Sequence, residues 1–172
     1  MTAVAYVALY KLNDALFSGF CNYNGVSFIY LPSGLRMLLV LLFLEQGAIG
    51  IALASMFISY HITPLPGPAG FLAPGLISGF APWLARIICV DKLKLHVELQ
   101  QLSANTLLKM AVVFALTSAV LHQLWFTWQG QTESFIRNTA AMAIGDLIGT
   151  LVMLYAAKAV LSLFPVPAAE PL

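Results

Sequence analysis

A chain of 172 residues that is 60% hydrophobic, only 9% charged and has a mean hydropathy of +0.89 cannot cover a water-soluble globule, whose residues are typically about 25% charged. Its net charge of +1 offers no basic patch for nucleic acid, and Cys21 and Cys89 have neither disulfide-framework nor metal-site spacing. These figures leave an integral membrane protein: an all-α polytopic bundle of about six transmembrane helices over residues 1–164, with the lipid bilayer as its first partner and a short cytoplasmic tail at 165–172.

The first helix is expected at about Ala3 to Phe20. No basic region precedes its apolar run, so a cleaved signal peptide is not expected. It carries Lys11 and Asp14 at i,i+3, the spacing of a local ion pair on a helix that tilts or lies partly in the interface. A turn-rich connection follows from Cys21 to Ser33. The second span begins near Gly34 and runs to Leu44, with a kink expected at Pro32 if Phe28 to Leu31 join it. Glu45, Gln46 and Gly47 form a tight turn into the third span, which ends near Ile62 and carries the small-xxx-small pair Gly50 and Ala54. Thr63 to Pro68 is a loop. The fourth span, Phe71 to Val90, holds Gly75 and Gly79 and is expected to bend at Pro74 and Pro82. Asp91 to Gln101 reads as a short amphipathic helix on the membrane surface. The fifth span runs from about Asn105 to Trp125, a polar loop covers Phe126 to Ser134, and the sixth span extends from Asn138 to Leu163.

Basic residues set the expected orientation. Arg86, Lys92, Lys94 and Lys109 flank the fourth-to-fifth connection, whereas Arg36 and Arg137 lie toward the opposite loops. With six spans, the positive-inside rule puts both termini in the cytoplasm of an inner (plasma) membrane. Tyr23, Phe28, Tyr30, Tyr60, Trp125 and Trp128 then gather at the outer interface.

Asp146 is the residue that asks for chemistry. It lies inside the last span between Gly145 and Gly149, nine residues from Arg137, or roughly 13 Å along a helix. A carboxylate there costs a few kcal/mol unless paired, hydrated or protonated. Candidate partners are Arg36, Lys109 and Lys11; Arg36 is the natural one, since it enters from the same outer side, although it could instead snorkel to headgroups. The pair reads either as a ligand or switch site or as a fixed interhelical tie, and Gly145 and Gly149 as close-packing positions. His61 and His122 fall at the outer ends of their spans; a haem or metal shared between them lacks any further signature, and no cofactor or metal is expected. No GxSxG, HExxH or phosphate-cradling loop is present, and the chain is not expected to be an enzyme.

Two segments carry a family resemblance. YLPSGLRMLLVLLFL, from Tyr30, resembles the proline, glycine and apolar helix that open the first family of bacterial membrane-associated sensor domains, and GDLIGTLVMLY, Gly145 to Tyr155, is similar to the Gly-Asp-x-x-Gly helix near their end. Their order and separation also fit. The resemblance implies an inner-membrane sensory or partner-binding module and carries over Pro32, Gly34, Gly145, Asp146 and Gly149 as site positions. Two departures stand out: Leu31 replaces the usual Trp before the proline, and the chain stops nine residues after Leu163, so signalling is expected to pass to a separate protein. The runner-up is a substrate-binding membrane subunit of an energy-coupling-type transporter, docking its module through small-xxx-small faces. A structural subunit without ligand is a third reading, and a homo-oligomer is compatible with all three.

Overall fold

The computed structural model of the protein describes residues 2–17, 19, 29–62, 67–92, 103–132 and 134–163. Among them the regular structure is helical. Helix α1 covers Thr2–Phe17, α2 Leu31–Ile62, α3 Ala69–Ile87, α4 Ala104–Trp128 and α5 Phe135–Ser162, with a π-helical turn, Ile88–Lys92, continuing α3. Among the described residues, four helical stretches are long and apolar enough to cross a membrane: Leu31–Ile62, Ala69–Lys92, Ala104–Trp128 and Phe135–Val160.

Helix α2 is not one straight rod. Its 32 residues would extend about 48 Å, well beyond a hydrocarbon core of about 30 Å. Leu44 breaks it, with φ 50° and ψ −124°. Beyond the break the chain folds back on itself. A Cβ on Gly47 would strike the carbonyl of Leu39, and Leu39 and Val40 pack with Ile51 in one buried cluster. In a straight helix Val40 and Ile51 would stand roughly 16 Å apart. The two arms, residues 31–43 and 45–62, therefore form a hairpin whose turn carries the exposed Glu45, where the expected tight turn lies.

Pro32 does not kink the chain. It sits in the first turn of α2, where a missing backbone N–H leaves nothing unpaired. Pro74 and Pro82 are both buried inside a continuous α3. The loop expected from Phe126 starts later, because α4 runs on to Trp128. Ser103 caps α4 by accepting from the Thr106 amide at 3.1 Å. The expected amphipathic helix at Asp91 to Gln101 falls largely outside the described residues, as do most of the 21–33 connection, most of the Thr63 to Pro68 loop, and the tail from 165.

The small residues are spent inside the bundle. Gly75 and Gly79 of α3 lie against Ala48, Ala52 and Met56 of α2, and Gly50 lies against Thr2 of α1. At one end of the bundle, Met37, Leu38, Ala81, Ala85, Cys89, Leu107, Met110, Phe114 and Leu154 form the main apolar core. Exposed leucines, isoleucines and valines on α2 to α5 make the outer surface suited to acyl chains.

Candidate functional site

The start of α2 lies beside the middle of α5, in the protein interior. The Tyr30 amide donates to the Gly145 carbonyl at 3.3 Å, and the Leu31 amide donates to Asn13 Oδ1 of α1 at 2.9 Å. Non-helical backbone at such a depth is tolerated only where protein or a cavity surrounds it. The approach requires glycine on both sides. A Cβ on Gly149 would strike the Tyr30 carbonyl, and one on Gly34 would meet the Met153 side chain and the Gly149 carbonyl.

That approach brings Arg36 of α2 against Asp146 of α5. Arg36 Nη2 donates to Asp146 Oδ1 at 3.2 Å, with the side chains 2% and 1% exposed. The Arg36 guanidinium also lies over two rings, 5.4 Å from the Tyr30 centroid and 5.6 Å from that of Phe114, within the range of cation–π attraction. Lys11 and Lys109, the other candidate counter-charges, are exposed. Lys11 and Asp14 do not pair with each other; among the described residues the ion pair is Arg36–Asp146.

The pair is not saturated. Arg36 Nε and Asp146 Oδ2 are both buried without a hydrogen-bond partner. Ser118 Oγ of α4 faces the Asp146 carboxylate but falls short of hydrogen-bond geometry. Around them, the Ser33 hydroxyl lies within reach of the Tyr30 carbonyl at 2.7 Å, the Asp146 carbonyl at 3.0 Å and Thr150 Oγ1 at 3.3 Å. A buried charge pair with one contact and two unused atoms can rearrange without breaking a network, because it has alternatives within its own shell.

His122 extends this polar layer to α3. Its Nδ1 lies 2.9 Å from the Ser118 carbonyl and its Nε2 3.3 Å from Ser78 Oγ. A carbonyl only accepts, so Nδ1 carries the hydrogen and Nε2 accepts from the Ser78 hydroxyl. His61 has a different setting: it is exposed and lies edge-on to the rings of Phe57 and Tyr60. No group of three metal-ligating side chains is found among the described residues.

A family model for MASE1, membrane-associated sensor domain 1, matches residues 3–165. The chain belongs to the MASE1 family. It is therefore a multi-pass membrane protein built as a sensory module. No curated protein and no solved structure matches the chain. The match supports the sensory reading and lends nothing to the transporter one, and the glycine faces that reading assigned to docking are occupied within the bundle.

Of the positions singled out in the sequence of this MASE1 chain, Arg36, Asp146, Gly34, Gly145 and Gly149 converge on one place, with Pro32 in the adjoining helical turn. Sequence reasoning missed Ser33, Ser118 and Phe114, assigned Tyr30 to the outer interface rather than to the Arg36 guanidinium, and weighed His122 only as a haem or metal ligand at the outer end of its span rather than as a buried bridge to Ser78. Ser33 was within view, since it stands inside the quoted LPSG. The others had no signal, because single hydroxyls and rings are ordinary in membrane helices.

Proposed function

We propose that this MASE1 chain is a sensory module of a bacterial inner membrane, that it passes its signal to a signalling protein in the cytoplasm, and that the Arg36–Asp146 pair is its switch. The observation that carries this reading is the pair itself: fully buried, joined by a single 3.2 Å contact, and flanked by an unpartnered Nε, Oδ2 and Ser118 hydroxyl. A tie evolved only for strength would use both carboxylate oxygens, since each orphaned buried group costs about 1–3 kcal/mol. A change of ligand, protonation or helix position that rearranges the pair moves the start of α2 against α5, because Gly34, Gly145 and Gly149 hold those backbones in contact.

The same reading takes six membrane segments: α1, the two arms of α2, α3, α4 and α5, the first arm of α2 (31–43) being a half-crossing that starts beside the middle of α5. Both termini then face the cytoplasm, with Arg86, Lys92, Lys94 and Lys109 on that side. The chain acts without chemistry of its own, so it is not an enzyme.

The test is co-purification from native membranes in mild detergent, with crosslinking and mass spectrometry of proteins and small molecules. Recovery of a kinase or a cyclic-dinucleotide enzyme is the expected outcome. A stoichiometric complex containing an ATPase module instead would refute the sensory assignment.

A further inference from the structure

The start of α2 makes a demand that neither α2 nor α5 meets. A helix begins with amide N–H groups that have no partner within it, and in the bilayer core no water serves them. Pro32 removes one such donor. The Tyr30 amide goes to the Gly145 carbonyl and the Ser33 amide to the Tyr30 carbonyl. The Leu31 amide is left, and its acceptor comes from another helix: Asn13 Oδ1 of α1, at 2.9 Å. Asn13 therefore does for α2 what a capping side chain does for its own helix.

A second tie leaves the same face of α1. Tyr6 stands seven residues before Asn13, about two helical turns away. Its hydroxyl lies 3.4 Å from the Tyr30 hydroxyl, and the Arg36 guanidinium lies over that same Tyr30 ring. Tyr6 and Asn13 are the two buried residues among the 16 of α1, against 13 of 32 in α2 and 9 of 25 in α4. The side chains that α1 buries are thus the ones that hold the residues in front of Arg36. Its remaining packing is a small cluster in which Ala3, Val7 and Tyr10 lie partly buried with Ala54, Ile58 and Leu35 of α2. Elements that move are drawn from the least buried parts of a structure.

We infer that α1 is a latch on the Arg36–Asp146 pair. Asn13 and Tyr6 are positioning residues that hold the start of α2 against α5, and displacement of α1 releases that contact. The coupling is reciprocal: a docked α1 favours the close approach of α2 to α5, and separation of α2 from α5 weakens the hold on α1. This latch rests on the switch reading above and does not require α1 to cross the membrane.

The experiment reads the α2–α5 contact by crosslinking. The full chain in native membranes, in a background of Cys21→Ser and Cys89→Ala, carries Ser33→Cys together with Thr150→Cys. The two native hydroxyls lie 3.3 Å apart, close enough for a disulfide to replace them, and a membrane-permeant oxidant forms it. Adding Asn13→Ala should slow its formation at least fivefold while membrane abundance stays within twofold. Adding Tyr6→Phe, which removes only the hydroxyl, should slow it at least twofold. Leu31→Pro deletes the amide that Asn13 serves, in the first helical turn where proline is tolerated. Asn13→Ala with Leu31→Pro should therefore return to within twofold of the parent rate, a rescue that a merely packing residue would not show. An unchanged rate in Asn13→Ala, a loss that Leu31→Pro fails to restore, or a fall in abundance that matches the fall in rate would overturn the latch. The two levels separate: if Asp146→Asn left signalling intact, the switch reading would fail, while the crosslinking rates would still decide whether α1 holds α2.

Discussion

Replacing Asp146 by asparagine separates switching from folding. Asparagine keeps the side-chain shape and an oxygen to accept from Arg36 Nη2, but it removes the negative charge. A hydrogen bond to a charged group contributes about 1.5–3 kcal/mol and a neutral one about 0.5–1.5, so the loss should be on the order of 1 kcal/mol. The Tyr30 and Phe114 rings, 5.4 and 5.6 Å from the guanidinium, go on stabilising Arg36 and keep that loss small. Asp146→Leu is different: it strands a cation that is 2% exposed, for about 3–5 kcal/mol, a large part of a total stability of about 5–15 kcal/mol. The assay reads three quantities for the full chain: abundance in the membrane, thermal unfolding in detergent, and activity of the co-purified signalling protein. Asp146→Asn should hold at least half the wild-type abundance while signalling falls at least tenfold. Asp146→Leu should lose both, and Arg36→Met with Asp146→Leu should regain abundance without signalling. If Asp146→Asn lost abundance and signalling in equal measure, the pair would be a structural tie and the switch assignment would fail.

Three further expectations come from the backbone and the His122 layer. Gly149→Ala drives a Cβ into the Tyr30 carbonyl, with backbone on both sides, and should destabilise by about 3 kcal/mol. Gly67→Ala, at φ +88° with open space, should lose only about 1 kcal/mol; comparable melting shifts for the two would refute the close approach of α2 to α5. Leu44→Gly relieves the positive φ at the hairpin turn and should raise stability by about 1 kcal/mol, so an unchanged or lowered melting temperature would count against the strained turn. His122→Phe leaves the Ser78 hydroxyl without its acceptor, at a loss of about 1–3 kcal/mol. A double-mutant cycle with Ser78→Ala should then show coupling of at least about 0.5 kcal/mol, and strict additivity would mean that the bridge contributes nothing.

What could be read in advance depended on the size of the penalty each residue carries in lipid. Asp146 announced itself because a carboxylate in an apolar helix demands a partner, and that demand pointed to Arg36 across 110 residues of sequence. Gly149 was legible as a close-packing position and Gly34 only as a position the family resemblance carried over, and neither was legible as the other's partner, since their contact depends on where α2 starts. That start was misread at Pro32. A proline is equally at home in a kink and in a first helical turn, and only the anchoring of Tyr30 and Leu31 to Gly145 and Asn13 selects the second. The reversal at Leu44 was found from Glu45, Gln46 and Gly47, although the residue that takes the positive φ is a leucine, which no turn rule nominates.

Ser33 and Ser118 stayed silent for the opposite reason. A serine in a helix can satisfy itself on a carbonyl one turn back, so its sequence position implies nothing about a distant neighbour. Lys11 and Asp14 fall between the two cases. Read in one dimension they satisfy each other at i,i+3 and need no further account. In the fold, where Asn13 is tied to Leu31, both are exposed and do not pair with each other, so their spacing alone did not report their surroundings.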